Sequence, residues 1–348
     1  MPDVAVCSQN SGSWRTPRTS LADWRLRQAA TIAAAVISLA TAAMAGPAGA
    51  GEPAPAASAG CAAAATGPGQ TTEQFTAAGK SGTYIQDVPD LDRPAPVVVD
   101  LHGYMETAEI AHDISGFGRF GADHGFVTIT PQLDEPGLPR WDFAQHSTDV
   151  SYIAELLTHV QSTLCTDLRR VYVVGMSMGA FTTSSLACQL ADRIAAVGMV
   201  AGLQDFDWCH PSRPVPVVAF HGTADPIVAY TGGWAANGTL LPPPTGSADG
   251  VPLDGPGPQS VPANAGAWAR RDGCDPQPDI RQIAADVTVT DYRCPSAGTV
   301  ALYSVTGGGH SWPGTTSMWY PEQYTGATTH SIDATAIAWD FFRAHSLP

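Results

Sequence analysis

A serine between two glycines, Gly175-Met176-Ser177-Met178-Gly179, lies where a buried strand must turn directly into a helix. The residues before it, Val171-Tyr172-Val173-Val174, form a continuous apolar run, as expected of a strand covered on both faces. From Met178 to position 190 the pattern is helical. Strand and helix backbones crowd at such a turn, so the positions two before and two after the serine must be small. The turn lifts the hydroxyl above the sheet and aims it at the helix N-terminus. Free backbone N–H groups and the helix dipole there favour developing negative charge. The plain structural alternative is a glycine-rich turn with a capping serine.

The rest of the chain repeats this architecture. Runs at 97–101, 126–130, 197–201 and 215–220 read as buried strands, and 149–164 and 333–345 as helices. Strands alternating with helices predict an α/β fold, a doubly wound and mostly parallel sheet with helices on both faces. With 348 residues and 44% hydrophobic content, the chain has enough material for one large domain. Its net charge of -15 would repel phosphate backbones, which argues against nucleic acid and polyanionic substrates. Positions 232–263 are dense in Pro and Gly and predict a long surface loop, either bordering a site or inert.

Near the start, Arg25 and Arg27 precede an uncharged run that ends in Ala43-Met44-Ala45. This reads as an export signal over 1–45, followed by a Gly/Ala/Pro-rich linker over 46–60 and a catalytic domain over 61–348. The expected location is extracellular, with no membrane contact after signal cleavage. Lipid anchoring at Cys61 is the rival reading. Cys7 leaves with the signal, and six cysteines remain, an even number that favours three disulfides over a zinc site. Cys274 is expected to pair with Cys294, bracketing a polar segment between a helix and a strand. Cys188 with Cys209 comes next, leaving Cys61 with Cys165.

A serine hydroxyl needs a base, and the base needs an orienting carboxylate. In the α/β-hydrolase fold the chain order is Ser, then Asp or Glu, then His. His310 follows the strand-like run 299–305 on a glycine-rich turn, Gly307-Gly308-Gly309-His310-Ser311-Trp312-Pro313-Gly314, and is the expected base. Its rivals are His330, in a plain loop, and His345, at a helix end. Asp225, in Phe220-His221-Gly222-Thr223-Ala224-Asp225-Pro226, is the expected acid, with a turn-capping role as the alternative and Asp205 and Asp207 as rivals. His221 reads as a structural turn residue. The oxyanion hole is expected from the N–H groups of Met178 and Tyr104, the latter in Leu101-His102-Gly103-Tyr104. Trp312, two residues past the base, is expected to wall the cleft, with Trp208, Trp141 and His102 as further contacts and core packing as the alternative for each Trp. Gly79-Lys80-Ser81 resembles a phosphate loop but lacks the glycine needed five residues earlier, where Gln74 stands, and reads as a turn.

Together, Leu101-His102-Gly103, the Ser177 turn, His221-Gly222-Thr223-Ala224-Asp225 and Gly309-His310-Ser311-Trp312-Pro313-Gly314 resemble the polyhydroxybutyrate-depolymerase family of esterases. That family shares its fold with secreted feruloyl and acetyl-xylan esterases. The resemblance covers roughly residues 61 to 348. Where family members often read H-G-C/G-G, this chain has His102-Gly103-Tyr104-Met105-Glu106, similar to the Gly-Tyr of secreted polyester hydrolases. The resemblance implies a monomeric serine esterase, without cofactor or metal, acting on poly(3-hydroxybutyrate)-type polyester or its oligomers. A feruloyl or acetyl-xylan esterase is the alternative within enzymes, and a catalytically silent binding protein the alternative outside them.

Overall fold

The computed structural model describes residues 54–62, 66–90, 92–242, 258–295, 298–319 and 321–348. The export signal, positions 46–53 of the linker and part of the Pro/Gly-rich stretch lie outside the described residues.

The elements follow in chain order: β1 (Gly69–Ala77), β2 (Lys80–Val88), β3 (Ala95–Leu101), α1 (Ala108–Ser115), α2 (Phe117–His124), β4 (Val127–Leu133), α3 (Thr148–Thr163), β5 (Thr166–Met176) and α4 (Met178–Gln189). They continue with β6 (Ala196–Val200), β7 (Val217–Gly222), α5 (Val261–Arg271), β8 (Asp279–Ala284), β9 (Val287–Tyr292), β10 (Val300–Val305), α6 (Glu322–Thr325) and α7 (Ala334–Arg343). Among the described residues, ten strands form one sheet in the order β1-β2-β4-β3-β5-β6-β7-β10-β9-β8. The central strands, β4 to β10 in that order, run parallel. Antiparallel hairpins, β1–β2 and β8–β9, extend it at both edges.

The continuous apolar runs are explained by the two covered faces. Val97, Val99, Val171 and Val173 point into a core shared with α3, α4 and α5. Their neighbours Val98, Tyr172 and Val174 point the other way, into a core with Phe117, Phe126, Trp339 and Phe342. Successive side chains alternate between faces, so a strand buried on both must be apolar throughout.

The edge hairpins escape the apolar-run reading because their outer strands are exposed at nearly every position. Gly79-Lys80-Ser81 belongs to the first hairpin. Ala78 and Gly79 both have positive φ, 51° and 76°, the signature of a tight two-residue turn. Lys80 forms ion pairs with Glu135 and Asp149.

Two expectations are corrected. The linker does not run to residue 60. Ser58 Oγ donates to Leu164 O at 2.8 Å and accepts from Thr166 N–H at 3.0 Å, and Ala56 N–H donates to Asp167 Oδ1 at 2.9 Å. Those bonds and the nearby disulfide hold this segment against the start of β5, so it belongs to the folded domain. Nor is 232–263 one long loop. It contains a short 3-10 turn at Gly238–Leu240 and ends in the first turn of α5, which Ser260 caps by accepting from Ala263 N–H.

The bridges formed are Cys61–Cys165, Cys188–Cys209 and Cys274–Cys294, with sequence separations of 104, 21 and 20. In the chain-entropy picture, a longer closed loop constrains the unfolded chain more. Replacing both cysteines of the 61–165 pair with serine should therefore cost about 4.7 kcal/mol, and of the 274–294 pair about 3 kcal/mol. Urea unfolding of the two variants reads these losses, and a loss below about 1 kcal/mol for the long loop would contradict the assignment.

Candidate active site

The carboxyl ends of the parallel strands place every polar group of the site, the usual location for function in an open α/β sheet. β5 ends at Met176, and Ser177 follows with φ 56° and ψ -121°, a conformation that L-residues avoid. The packing around it accounts for the flanking glycines. A Cβ on Gly179 would lie 2.0 Å from Leu101 O, and one on Gly175 would lie 2.5 Å from the Gly179 backbone. α4 therefore starts in contact with the end of β3. Ser177 N–H donates to Val200 O at 2.9 Å, fixing the turn against β6.

Asp225 and His310 arrive from neighbouring strands. β7 and β10 pair in parallel with Gly222 opposite Val305, so the loops leaving them start side by side. Ala224 N–H donates to Gly308 O at 2.9 Å, and Gly307 N–H to Thr223 Oγ1 at 2.9 Å, which ties the two loops together. His310 Nδ1–H then donates to Asp225 Oδ2 at 2.7 Å, with both side chains buried. The other carboxylate oxygen, Oδ1, accepts from Ile227 and Val228 N–H at 2.8 and 2.9 Å. Burial works against ionising Asp225, but the His310 charge and the hydrogen bonds from His221 and His310 outweigh it, holding the carboxyl well below the usual carboxylate range. Burial likewise disfavours a charged His310, and the charge and hydrogen bond of Asp225, with the field of Glu106, raise its proton affinity nonetheless.

Ser177 and His310 line one cleft of about 540 Å³. The Ser177 hydroxyl forms no hydrogen bond among the described residues. Catalytic hydrogen bonds of this kind are often long in the absence of substrate and tighten in the complex. The N–H groups of Tyr104 and Met178 have no acceptor among the described residues, which leaves both free to serve an oxyanion. Chemically, the arrangement is a buried acid–base pair beside a hydroxyl at a helix N-terminus.

Other candidates lie elsewhere. Trp312 is 2% exposed and packs edge-on against Phe117, its Nε1–H donating to Thr335 Oγ1 at 2.9 Å. It is a core residue rather than a cleft wall, because the chain turns inward after His310. Trp208 stacks on Phe206 and lines a separate hollow beside Gln145 and Gln189. Trp141 is buried and donates to His102 O at 3.0 Å. His102 is fully buried against that ring, its proton affinity lowered by burial to about 4, and its Nδ1–H donates to Gly103 O at 2.8 Å. It braces the loop after β3 and is not among the residues that line the cleft. Asp205 pairs with Arg271, and His345 Nδ1–H caps Phe341 O. Among the described residues, no group of three or more His, Cys, Asp or Glu is placed to hold a metal ion.

Two contributors are only partly legible in the sequence: His221, which reads there as a structural turn residue, and the cleft walls, of which only the Pro/Gly-rich stretch reads as a possible border. His221 is buried and shares its Nε2–H between Val228 O at 2.9 Å and Asp225 Oδ2 at 3.2 Å, so it orients the acid as well as the turn. The cleft walls are Met105, Ile110, Ile227, Leu240 and Leu241 with Tyr104 and Tyr324. Leu240 to Pro242 come from the Pro/Gly-rich stretch, and Tyr104 Oη–H donates to Pro242 O at 2.8 Å across the cleft mouth.

No family profile matches the chain. Among curated proteins, it is 27% identical over 229 residues to feruloyl esterase B of Piromyces equi, covering 63% of this chain and 40% of that protein. It is 32% identical over 120 residues to poly(3-hydroxyalkanoate) depolymerase C of Paucimonas lemoignei, covering 31% of this chain and 28% of that protein. The chain thus spans less than half the length of these relatives. Among solved structures, an acetyl xylan esterase from Aspergillus awamori superposes with a TM-score of 0.51 at 17% identity, over 69% of this chain and 94% of that one. The chain has the α/β-hydrolase fold, and its relatives are named as esterases and a depolymerase.

Proposed function

We propose that this chain is an exported serine esterase that hydrolyses short-chain carboxylic esters through an acyl-enzyme. The observation that carries the reading is the buried 2.7 Å bond between His310 and Asp225, opening into the same cleft as Ser177 on its strained turn. Ser177 Oγ attacks the ester carbonyl as its proton passes to His310 Nε2. The carbonyl oxygen becomes an oxyanion held by the N–H groups of Tyr104 and Met178. His310 returns the proton to the departing alcohol, leaving Ser177 acylated. Water, deprotonated by the same ring, then releases the acid. Asp225 keeps the Nδ1–H tautomer and stabilises the imidazolium. The three disulfides support an oxidising, extracytoplasmic location.

The cleft supports small apolar acyl groups. Its rim exposes Leu240 at 77% and Tyr324 at 60%, apolar surface suited to an uncharged polyester chain. A poly(3-hydroxybutyrate)-type substrate is the first reading, supported by the four motifs and by the depolymerase relative. A plant-wall feruloyl or acetyl ester is the second, supported by the broader match to a feruloyl esterase and by Tyr104 and Tyr324, which offer rings to an aromatic acyl group.

Ser177→Ala should keep its fold by circular dichroism and lose about a millionfold in kcat on p-nitrophenyl butyrate. Asp225→Asn should lose about 10⁴-fold, because it leaves the imidazole in the wrong tautomer. An active Ser177→Ala would point to a different nucleophile, and a wild type inert to every ester would support a binding role. A kcat/KM comparison of hydroxybutyrate trimer, methyl ferulate and acetylated xylan decides the substrate. A tenfold advantage for either plant-wall ester, about 1.4 kcal/mol in transition-state binding, replaces the polyester reading with the second.

A further inference from the structure

The mechanism leaves one buried carboxyl of the cleft unused. Glu106, in the loop after β3, is 5% exposed and lines the same cavity as Ser177 and His310. It closes a reciprocal clasp on the oxyanion loop. Gly103 N–H donates to Glu106 Oε2 at 2.6 Å, and Glu106 N–H donates to Gly103 O at 3.3 Å. The carboxyl lies so close to Gly103 that a Cβ there would sit 2.8 Å from Glu106 Cδ. Inside the clasp, Met105 is held at φ 67° with its N–H on Pro139 O at 2.8 Å. The Tyr104 N–H is left without an acceptor among the described residues.

We propose that Glu106 is a positioning residue with two effects: its carboxyl oxygen holds the loop that presents the Tyr104 N–H, and its charge tunes the protonation of His310. The inference rests on the esterase reading above. Glu106 is faced by His310 from the loop after β10 and by Asp100 from β3, and Asp100 in turn accepts from Ser115 Oγ–H on α1. His310 is faced by Asp225 and Glu106. Burial lifts the Glu106 carboxyl to about 7, against the lowering by Gly103 N–H and His310. Each group favours the charged form of the other: the field of Glu106 raises the proton affinity of His310, and the field of His310 lowers that of Glu106, so the two titrations are coupled. An ionised Glu106 keeps the proton on the ring, and the ring works as a base only without it. Removing the negative charge should let His310 act at lower pH.

Glutamine keeps the carbonyl acceptor for Gly103 N–H and removes the charge, whereas alanine removes both. The test measures kcat and KM on p-nitrophenyl butyrate from pH 5 to 9 for wild type, Glu106→Gln and Glu106→Ala. In Glu106→Gln, the ratio of kcat/KM at pH 6 to that at pH 8.5 should be at least ~3-fold above the wild-type ratio. Glu106→Ala should lose at least ~10-fold in plateau kcat with a smaller change in KM, and Glu106→Gln should recover most of that loss. A Glu106→Gln profile that superimposes on wild type overturns the electrostatic effect, even if Glu106→Ala does not fold. A Glu106→Ala with wild-type kcat overturns the positioning effect. If the wild type turns over no ester, the esterase reading fails separately. The pH dependence of Ser177 phosphonylation by a fluorophosphonate then decides Glu106 by the same shift, and absence of any phosphonylation overturns both.

Discussion

The molecule is organised around a close approach of three backbones: the end of β3, the end of β5 and the first turn of α4. At Gly179 the separation leaves no room for a Cβ beside Leu101 O. This contact holds Ser177 in its unfavourable φ/ψ region, because the surrounding sheet over-determines the turn. It also brings the loop after β3 to the start of α4, where the N–H groups of Tyr104 and Met178 are the proposed oxyanion donors. On the mechanism proposed above, the strained serine and the anion site are two results of one packing constraint.

The proposed mechanism also requires a fixed carboxylate beneath its base. A buried charge is costly unless its lone pairs are taken up. Asp225 meets this with two backbone N–H groups on one oxygen and two imidazoles sharing the other. The parallel pairing of β7 and β10 supplies both loops, so the acid and the base are positioned by sheet register rather than by a long flexible connection. Glu106, which lines the same cavity as His310, adds a buried carboxyl held by Gly103 N–H, and burial lifts its pKa to about 7.

The readable parts of the chain were those where one local constraint leaves one solution. Strands buried on both faces must be apolar at every position, so β3, β5, β6 and β7 announced themselves. The serine turn showed through its glycines, and Asp225 and His310 through their place after strand-like runs. The edge hairpins did not, because β1 and β8 expose most of their side chains and carry no apolar run. The cleft walls were hidden for a different reason. Proximity to His310 in sequence favoured Trp312, but the chain turns into the core there, and the ring packs against Phe117. The actual walls, such as Ile227 and Leu240, are ordinary apolar residues whose position depends on how loops from separate strands fold over the site. Glu106 was visible as a departure from the common oxyanion-loop pattern, yet only its bond to Gly103 reveals what it touches.

On the reading proposed above, one packing contact sets both the nucleophile, at the β5–α4 turn, and the anion site, shared between that turn and the loop after β3. A crystal structure of the protein after reaction with a phosphonate tests it directly. The account predicts phosphorus bonded to Ser177 Oγ, with one phosphonyl oxygen about 2.7–3.1 Å from the N–H groups of both Tyr104 and Met178. A phosphonate on another residue, or one on Ser177 whose oxygens face away from both N–H groups, would contradict it.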